Sequence, residues 1–369
     1  MKKLTALLLA LIMTLALAAC GGDSSQKDNA PPAEPDTKTD APAEPEQKDE
    51  EPAAPAEPAE PAEPAGPEPV TLRIGYMPNY ASLWGVLSAI EQGCFEEEGI
   101  TIELTEFPDG PSEIAAMEGN SIDLAYIGKG AHRLCILGSA VIFAPSSVHT
   151  VDKVVCMPDS GIQSVADLKG KTIAFNSGSS SESTFNNALT VGGLTRDDVT
   201  PMDLSIDNVV PAAVSGTIDA AVCWNPYSGQ ILQQVEGSYE IEFADGSTNI
   251  SSWICLPKYA EENHDVLVRF TRALFKGMDW GSQVENYETV ADYCSKQTKA
   301  SLESQLMQVG DAHWFNLEDL KSGVADGTIK GYYEGMQNDM VKGENITPEE
   351  AKEDVAEFVL FDIMEEALK

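Results

Sequence analysis

The sequence predicts an α/β protein of two similar lobes, each a mostly parallel sheet flanked by helices, with strand ends meeting at one cleft. The main observation is a stretch that occurs twice. Glu113–Gly130 reads EIAAMEGNSIDLAYIGKG, and Pro211–Tyr227 reads PAAVSGTIDAAVCWNPY. Each copy has Ala-Ala, then Gly, then Ile-Asp, then a small apolar run. The second observation is helix punctuation. Helices over 114–118 and 212–215 are expected to stop at Gly119 and Gly216, because glycine takes the left-handed cap conformation cheaply. The third is that the apolar runs 123–127 and 219–224 do not alternate, as strands covered by helices on both faces do not. Both strands stop at loop-forming residues, Gly128-Lys129-Gly130 and Asn225-Pro226. Strand ends of this kind line the ligand crevice in open α/β sheets.

The remaining elements follow in order. Met1-Lys2-Lys3 and the apolar run to Ala19 read as a secretory signal peptide, 1–19, with Leu17-Ala18-Ala19-Cys20 resembling a bacterial lipobox. Lipidated Cys20 would anchor the chain to a membrane without spanning it, since each buried CH₂ adds about 0.8 kcal/mol. An ordinary cleaved signal with a stray cysteine is the alternative. Residues 20–69 repeat Ala-Glu-Pro and lack large apolar side chains, so they are expected to form an extended tether. In the body, Thr71–Tyr76 reads as a strand, followed by a helix capped at Ser82 and ended by Gly93. A strand over 100–106 leads into a helix near Ser112. Further strands are expected at 141–144 and 153–157. Ser164 and Asp167 form a capping-box pattern before a strand ending at Phe175, and a serine-rich turn precedes a helix reaching Leu189.

Composition excludes some functions. The chain carries a formal net charge of −37; setting aside the 14 acidic and 5 basic residues of 1–69 leaves the body at −28. Nucleic-acid binding needs a basic footprint, so it is not expected. Cys94, Cys135, Cys156, Cys223, Cys255 and Cys294 make no CxxC, and no Cys/His cluster has zinc spacing, so no metal is expected. Most of these cysteines read as small core residues. His132, His149, His264 and His313 are scattered, without triad or metal spacing, and there is no G-x-S-x-G elbow. No catalytic residue and no cofactor is expected.

The ordered set GYMPN, GCFEEEGITIEL, GNSIDLAYIG, SVADLKGKTIAFNSGSSSES, GLTRDDV and GTIDAAVCWNPY resembles the substrate-binding proteins of bacterial ABC importers. The likeness is to the nitrate/sulfonate/taurine and thiamine-precursor branch, which also holds pyrimidine-precursor synthases. It covers most of 70–274. The resemblance implies a periplasmic-binding-protein clamshell, type II with two hinges: lobe one from 70–158, lobe two from 159–250, and a return to lobe one over 251–369. It also implies a small-molecule ligand of sulfonate, nitrate or pyrimidine kind, an ABC permease and its ATPase as partners, and a monomer. Alternatives on the same fold are a thiamine-pyrimidine-type enzyme and a surface sensor or adhesion lipoprotein. By the same likeness Cys156 and Cys255 would both lie near the hinge in lobe one, which leaves a disulfide between them open.

Candidate ligand-binding residues come from both jaws. Pro78, Asn79 and Tyr80 follow the first strand. Phe107 and Asp109 follow the second, and Asp109 would suit an amino group. Gly128 and Lys129 end the first copy of the repeat, where the family more often has small residues; Lys129 would bind an anion or remain solvated. His132 and Arg133 read as structural. Ser177, Ser179, Ser180 and Ser181 offer hydroxyls and backbone N–H groups at a helix start, either for a ligand or as a plain cap. Asp207 and Asn208 resemble a family position near the cleft. Trp224, Asn225 and Tyr227 end the second copy, where Trp224 either stacks on an organic ligand or fills the core.

Overall fold

The structure, a computed structural model, describes residues 68–149, 152–243 and 248–369. The expected signal peptide, Cys20 and nearly all of the tether lie outside the described residues. The strands are β1 (Val70–Tyr76), β2 (Ile100–Glu106), β3 (Leu124–Ile127), β4 (Val141–His149), β5 (Lys153–Cys156), β6 (Thr172–Phe175), β7 (Thr200–Asp203), β8 (Ala220–Cys223), β9 (Tyr239–Ile241), β10 (Ile250–Cys255) and β11 (Ala312–Trp314). They form two sheets, ordered β11-β4-β10-β3-β1-β2 and β7-β6-β8-β5-β9.

The repeated stretch occupies the same place in each sheet. β3 pairs parallel with β1 and antiparallel with β10; β8 pairs parallel with β6 and antiparallel with β5. The two antiparallel strands are the ones that enter each sheet after a crossing. They start at the cleft, so they must run back against neighbours that end there. Each sheet is therefore parallel in one half and antiparallel in the other.

Both faces of the second sheet are covered, which accounts for its apolar strands. Val154, Cys156, Ile173, Phe175, Ala220 and Val222 pack on one side. Val155, Ala174, Ala221 and Cys223 pack on the other. The first sheet carries a larger core in which the helix His264–Gly281 contributes Leu267, Phe270, Leu274 and Met278.

Several local expectations are corrected. Gly216 has φ 69° as expected, but Gly119 has φ −77° and Asn120 takes the left-handed turn at φ 57°. Asparagine tolerates that region better than most side chains. The first helix, Tyr80–Glu91, is capped by Asn79, whose Oδ1 accepts from the Ser82 amide, so Ser82 is the third helical residue and not the cap. The helix Gly110–Glu118 is likewise capped by Asp109, ahead of Ser112. Ser164 and Asp167 do form their capping box.

The chain passes from one sheet to the other between His149 and Lys153, earlier than Pro158, since β5 already pairs with β8 and β9 of the second sheet. It returns between Ile241 and Ile250. This placement corrects the relation of Cys156 to Cys255. Cys156 lies in the five-stranded sheet opposite Ala220, Cys255 in the six-stranded sheet opposite Leu124, and both are free buried thiols.

One buried charge stands out. Glu113, in the 110–118 helix, is fully buried, and neither carboxylate oxygen has a hydrogen-bond partner among the described residues. Burial, with the nearby Asp109 charge, pushes its carboxyl well above the ordinary value. A carboxyl raised in the folded state stabilises fully below its unfolded value, about 4.3. That contribution is lost as pH rises through the folded value. Glu113→Gln should therefore match the wild-type melting temperature near pH 4 and exceed it increasingly toward pH 8. A difference that does not change with pH would contradict this.

Candidate functional site

The two sheets meet around an open cavity with an empty volume of about 810 Å³, part of it continuous with solvent. Its wall is built almost entirely from strand ends and the residues just beyond them. β1 delivers Met77 and Asn79, β2 delivers Asp109, and β3 delivers Tyr126, Gly128 and Ala131. The second lobe supplies Ser179 and Ser180 after β6, and Trp224 and Asn225 after β8. The crossing segments add His149, Asp152, Lys153 and Asn249, and the C-terminal part adds Gln308, Asp311 and Trp314.

The lobes touch across this cavity. Asn225 Nδ2 donates to Asp311 Oδ2 at 2.8 Å. Gly130, in the turn after β3, lies so near the second lobe that a Cβ there would fall inside the Ser179–Ser180 peptide. The turn therefore needs glycine for clearance, not for a special φ.

The polar wall is held from behind. His149 Nε2 sits 2.9 Å from Ser147 Oγ, 2.9 Å from Ser251 Oγ and 3.3 Å from the Tyr126 hydroxyl. Burial lowers the His149 pKa to about 4, so its ring is uncharged at neutral pH. Ser147 and Ser251 are fully buried, which keeps their hydroxyls away from a ligand. The Asp311 carboxyl is pushed up by burial, while its bond from Asn225 and the nearby Lys153 charge pull the other way. Lys153 itself is 3.8 Å from Glu240. Trp314 is almost fully buried; it packs on Tyr80 at 5.0 Å and on Trp84 at 5.2 Å, and its Nε1 donates to Val309. Among the described residues, no group of three or more His, Cys, Asp or Glu side chains is placed to hold a metal ion.

Of the residues singled out in the sequence, the cavity brings together Asn79, Asp109, Gly128, Ser179, Ser180, Trp224 and Asn225. The others are placed elsewhere. Tyr80 is fully buried against Trp314, because it is the first residue of the helix that Asn79 caps and its side chain turns to the core. Pro78 and Phe107 are not part of the wall; Phe107 packs on the first core. Lys129 is buried, with its Nζ 3.9 Å from Asp339. Ser181 turns inward, its Oγ donating to Val222 and accepting from the Asn176 amide. The Ser177 amide is taken by Asp203. Asp207 and Asn208 open the helix Ile206–Val214, which begins six residues earlier than the 212–215 span expected, and both are exposed. Tyr227 bonds Asp207 and packs edge-on against Trp224 at 6.0 Å, supporting the indole instead of lining the cavity. The structural reading of His132 agrees with its burial and its contacts to Gly128 and Ser252.

No pattern in the sequence pointed to Gln308, Asp311 or Trp314, which come from a segment outside the repeat. Tyr126 was not singled out either; the signal that could have found it is a polar-tipped side chain inside the apolar strand of the first copy.

Two lobes joined by two crossings around a ligand-sized cavity define the periplasmic-binding-protein fold. The family model described as NMT1/THI5 like matches residues 81–283. The chain belongs to that family. A provisionally named binding protein of Brucella abortus (strain 2308) is 30% identical over 276 residues, covering 73% of this chain and 84% of the relative. A provisionally named aliphatic sulfonates-binding protein of Bacillus subtilis (strain 168) is 29% identical over 237 residues, covering 61% and 68%. Among solved structures, the alkanesulfonate-binding protein SsuA from Xanthomonas axonopodis pv. citri, bound to MOPS, superposes with a TM-score of 0.60. It is 22% identical, over 79% of this chain and 98% of that one, a likeness of fold.

Proposed function

We propose that this protein is the extracytoplasmic solute-binding receptor of an ABC importer, capturing a small organic solute by closing its two lobes and presenting it to a permease and its ATPase. The observation that carries this reading is the cavity walled by both lobes, with direct contacts between the lobes at Asn225–Asp311 and Gly130–Ser179. A solute touching both walls binds the closed state better and shifts the population toward it; a solute touching one wall shifts nothing. The names of the relatives support a binding role. In this reading the receptor acts as a monomer, and the segment 20–69 tethers it to a membrane through lipid on Cys20. No helix among the described residues is long and apolar enough to cross a membrane.

Two experiments test the parts separately. Gly130→Val puts a branched side chain where the second lobe's peptide must lie. Small-angle scattering should show the folded variant staying more extended than wild type in the presence of co-purified solute, with affinity lowered at least tenfold. A Gly130→Val protein that closes and binds like wild type would sink the closure mechanism. For the anchor, metabolic labelling with palmitate should disappear in Cys20→Ala, and labelling that persists there contradicts it.

A further inference from the structure

We propose that Asp339 is a positioning residue for lobe closure: its carboxylate ties the second crossing between the lobes to the turn that meets the second lobe. This deepens the receptor reading and rests on it. Asp339 lies in the helix Thr328–Lys342, outside the cavity wall. Its Oδ2 accepts the Thr248 amide at 2.6 Å. Thr248 stands just before β10, where the chain has returned from the second sheet. One residue on, the Asn249 carbonyl accepts the His149 amide at 2.7 Å, so the two crossings are bonded to each other there. The same helix packs close at Gly335, where a Cβ would fall 2.6 Å from Thr248 Oγ1. On its other side Asp339 Oδ2 is 3.9 Å from Lys129 Nζ, and Lys342 approaches Oδ1 from the surface at 3.7 Å.

Lys129 is the middle of the Gly128-Lys129-Gly130 turn, whose last residue lies against the Ser179–Ser180 peptide. A turn with glycine on both sides of one side chain is weakly fixed by its own backbone. The clearance at Gly130 leaves it no room to drift, because a functional geometry has to be held within about 0.5 Å. The helix 328–342 supplies the missing restraint twice. One thread is the Asp339–Lys129 pair. The other runs from the Tyr333 hydroxyl to Ser252 Oγ at 2.9 Å and from Ser252 Oγ to His132 Nε2 at 2.8 Å. It ends at His132 Nδ1, which is 3.0 Å from the Gly128 carbonyl and 3.2 Å from that of Lys129. Burial lowers the His132 pKa to about 4, so the ring carries one proton at neutral pH. Carbonyls only accept, so that proton is on Nδ1; Nε2 accepts from Ser252, and Ser252 accepts from Tyr333. All three side chains are fully buried. Replacing a buried ion pair by apolar residues of the same shape is often neutral or stabilising. What Asp339 and Lys129 add is placement: crossing and turn share one carboxylate, so a shift of either moves the other.

Full-length protein is stripped of bound small molecules and then mixed with the probe, the small-molecule extract of natively purified wild type. Small-angle scattering reads the fraction closed, and thermal unfolding reads the fold. Wild type should become more compact when the extract is added. Asp339→Ala, which loses both ties, should lower the closing equilibrium about tenfold or more. Asp339→Asn can still accept the Thr248 amide and should fall between the two. Lys129→Met combined with Asp339→Asn should lower closure no further than the larger single effect, since the pair acts as one. A merely structural role would move the melting temperature alone. If Asp339→Ala does not fold, Asp339→Asn and the double variant carry the test. Folded variants that close as readily as wild type overturn the role of Asp339 and leave the receptor reading standing. Single effects that simply add in the double variant also overturn it. Extract that leaves wild-type scattering unchanged overturns the receptor reading, and the inference with it.

Discussion

The cleft depends on one close approach, the backbone at Gly130 lying against the Ser179–Ser180 peptide. Each side of this contact is a turn between a strand and a helix, one after β3 and one after β6. Any side chain at 130 would hold the lobes apart and leave Trp224 and Trp314 on separate surfaces. The hydrogen bond from Asn225 to Asp311 is the second contact across the gap. A hydrogen bond to a charged group contributes about 1.5–3 kcal/mol net. Moving a two-state equilibrium from mostly open to mostly closed takes about 5.5 kcal/mol. That single bond cannot make the closed state permanent, so a bound solute has a shift left to supply.

The wall that a solute would meet is stiff where it must keep its shape. Tyr126, His149, Ser147 and Ser251 form one hydrogen-bonded cluster joining the cleft ends of β3, β4 and β10. It lies beside the crossing from His149 to Lys153, where the chain changes sheets. A satisfied polar cluster at low dielectric costs little to bury and fixes the strands in register. The opposite jaw is held more lightly, by Ser228 Oγ on Asn225 and by Tyr227 edge-on to Trp224.

Much of the fold was legible because backbone chemistry is local. The repeated Gly, Ile-Asp and apolar run marked β3 and β8, and the apolar character of both strands followed from helices on two faces. The candidate site was legible only where it follows a strand end. Asn79, Asp109, Ser179 and Trp224 sit just beyond strand ends, and strand ends line the cleft. Tyr80, Lys129 and Ser181 are neighbours in sequence of wall residues yet point the other way, because one step along a helix start turns a side chain by about 100°. Asp311 and Trp314 were invisible for a different reason. They reach the cleft by tertiary return of the C-terminal segment, and no periodicity records such a return.

The central claim, that one solute is held by both lobes, is tested most directly by a crystal structure of the protein with its co-purified solute bound. The account predicts electron density for that molecule between Trp224 and Trp314, in contact with residues of both sheets. Density confined to one lobe, with the other lobe's wall facing bulk water, would contradict it.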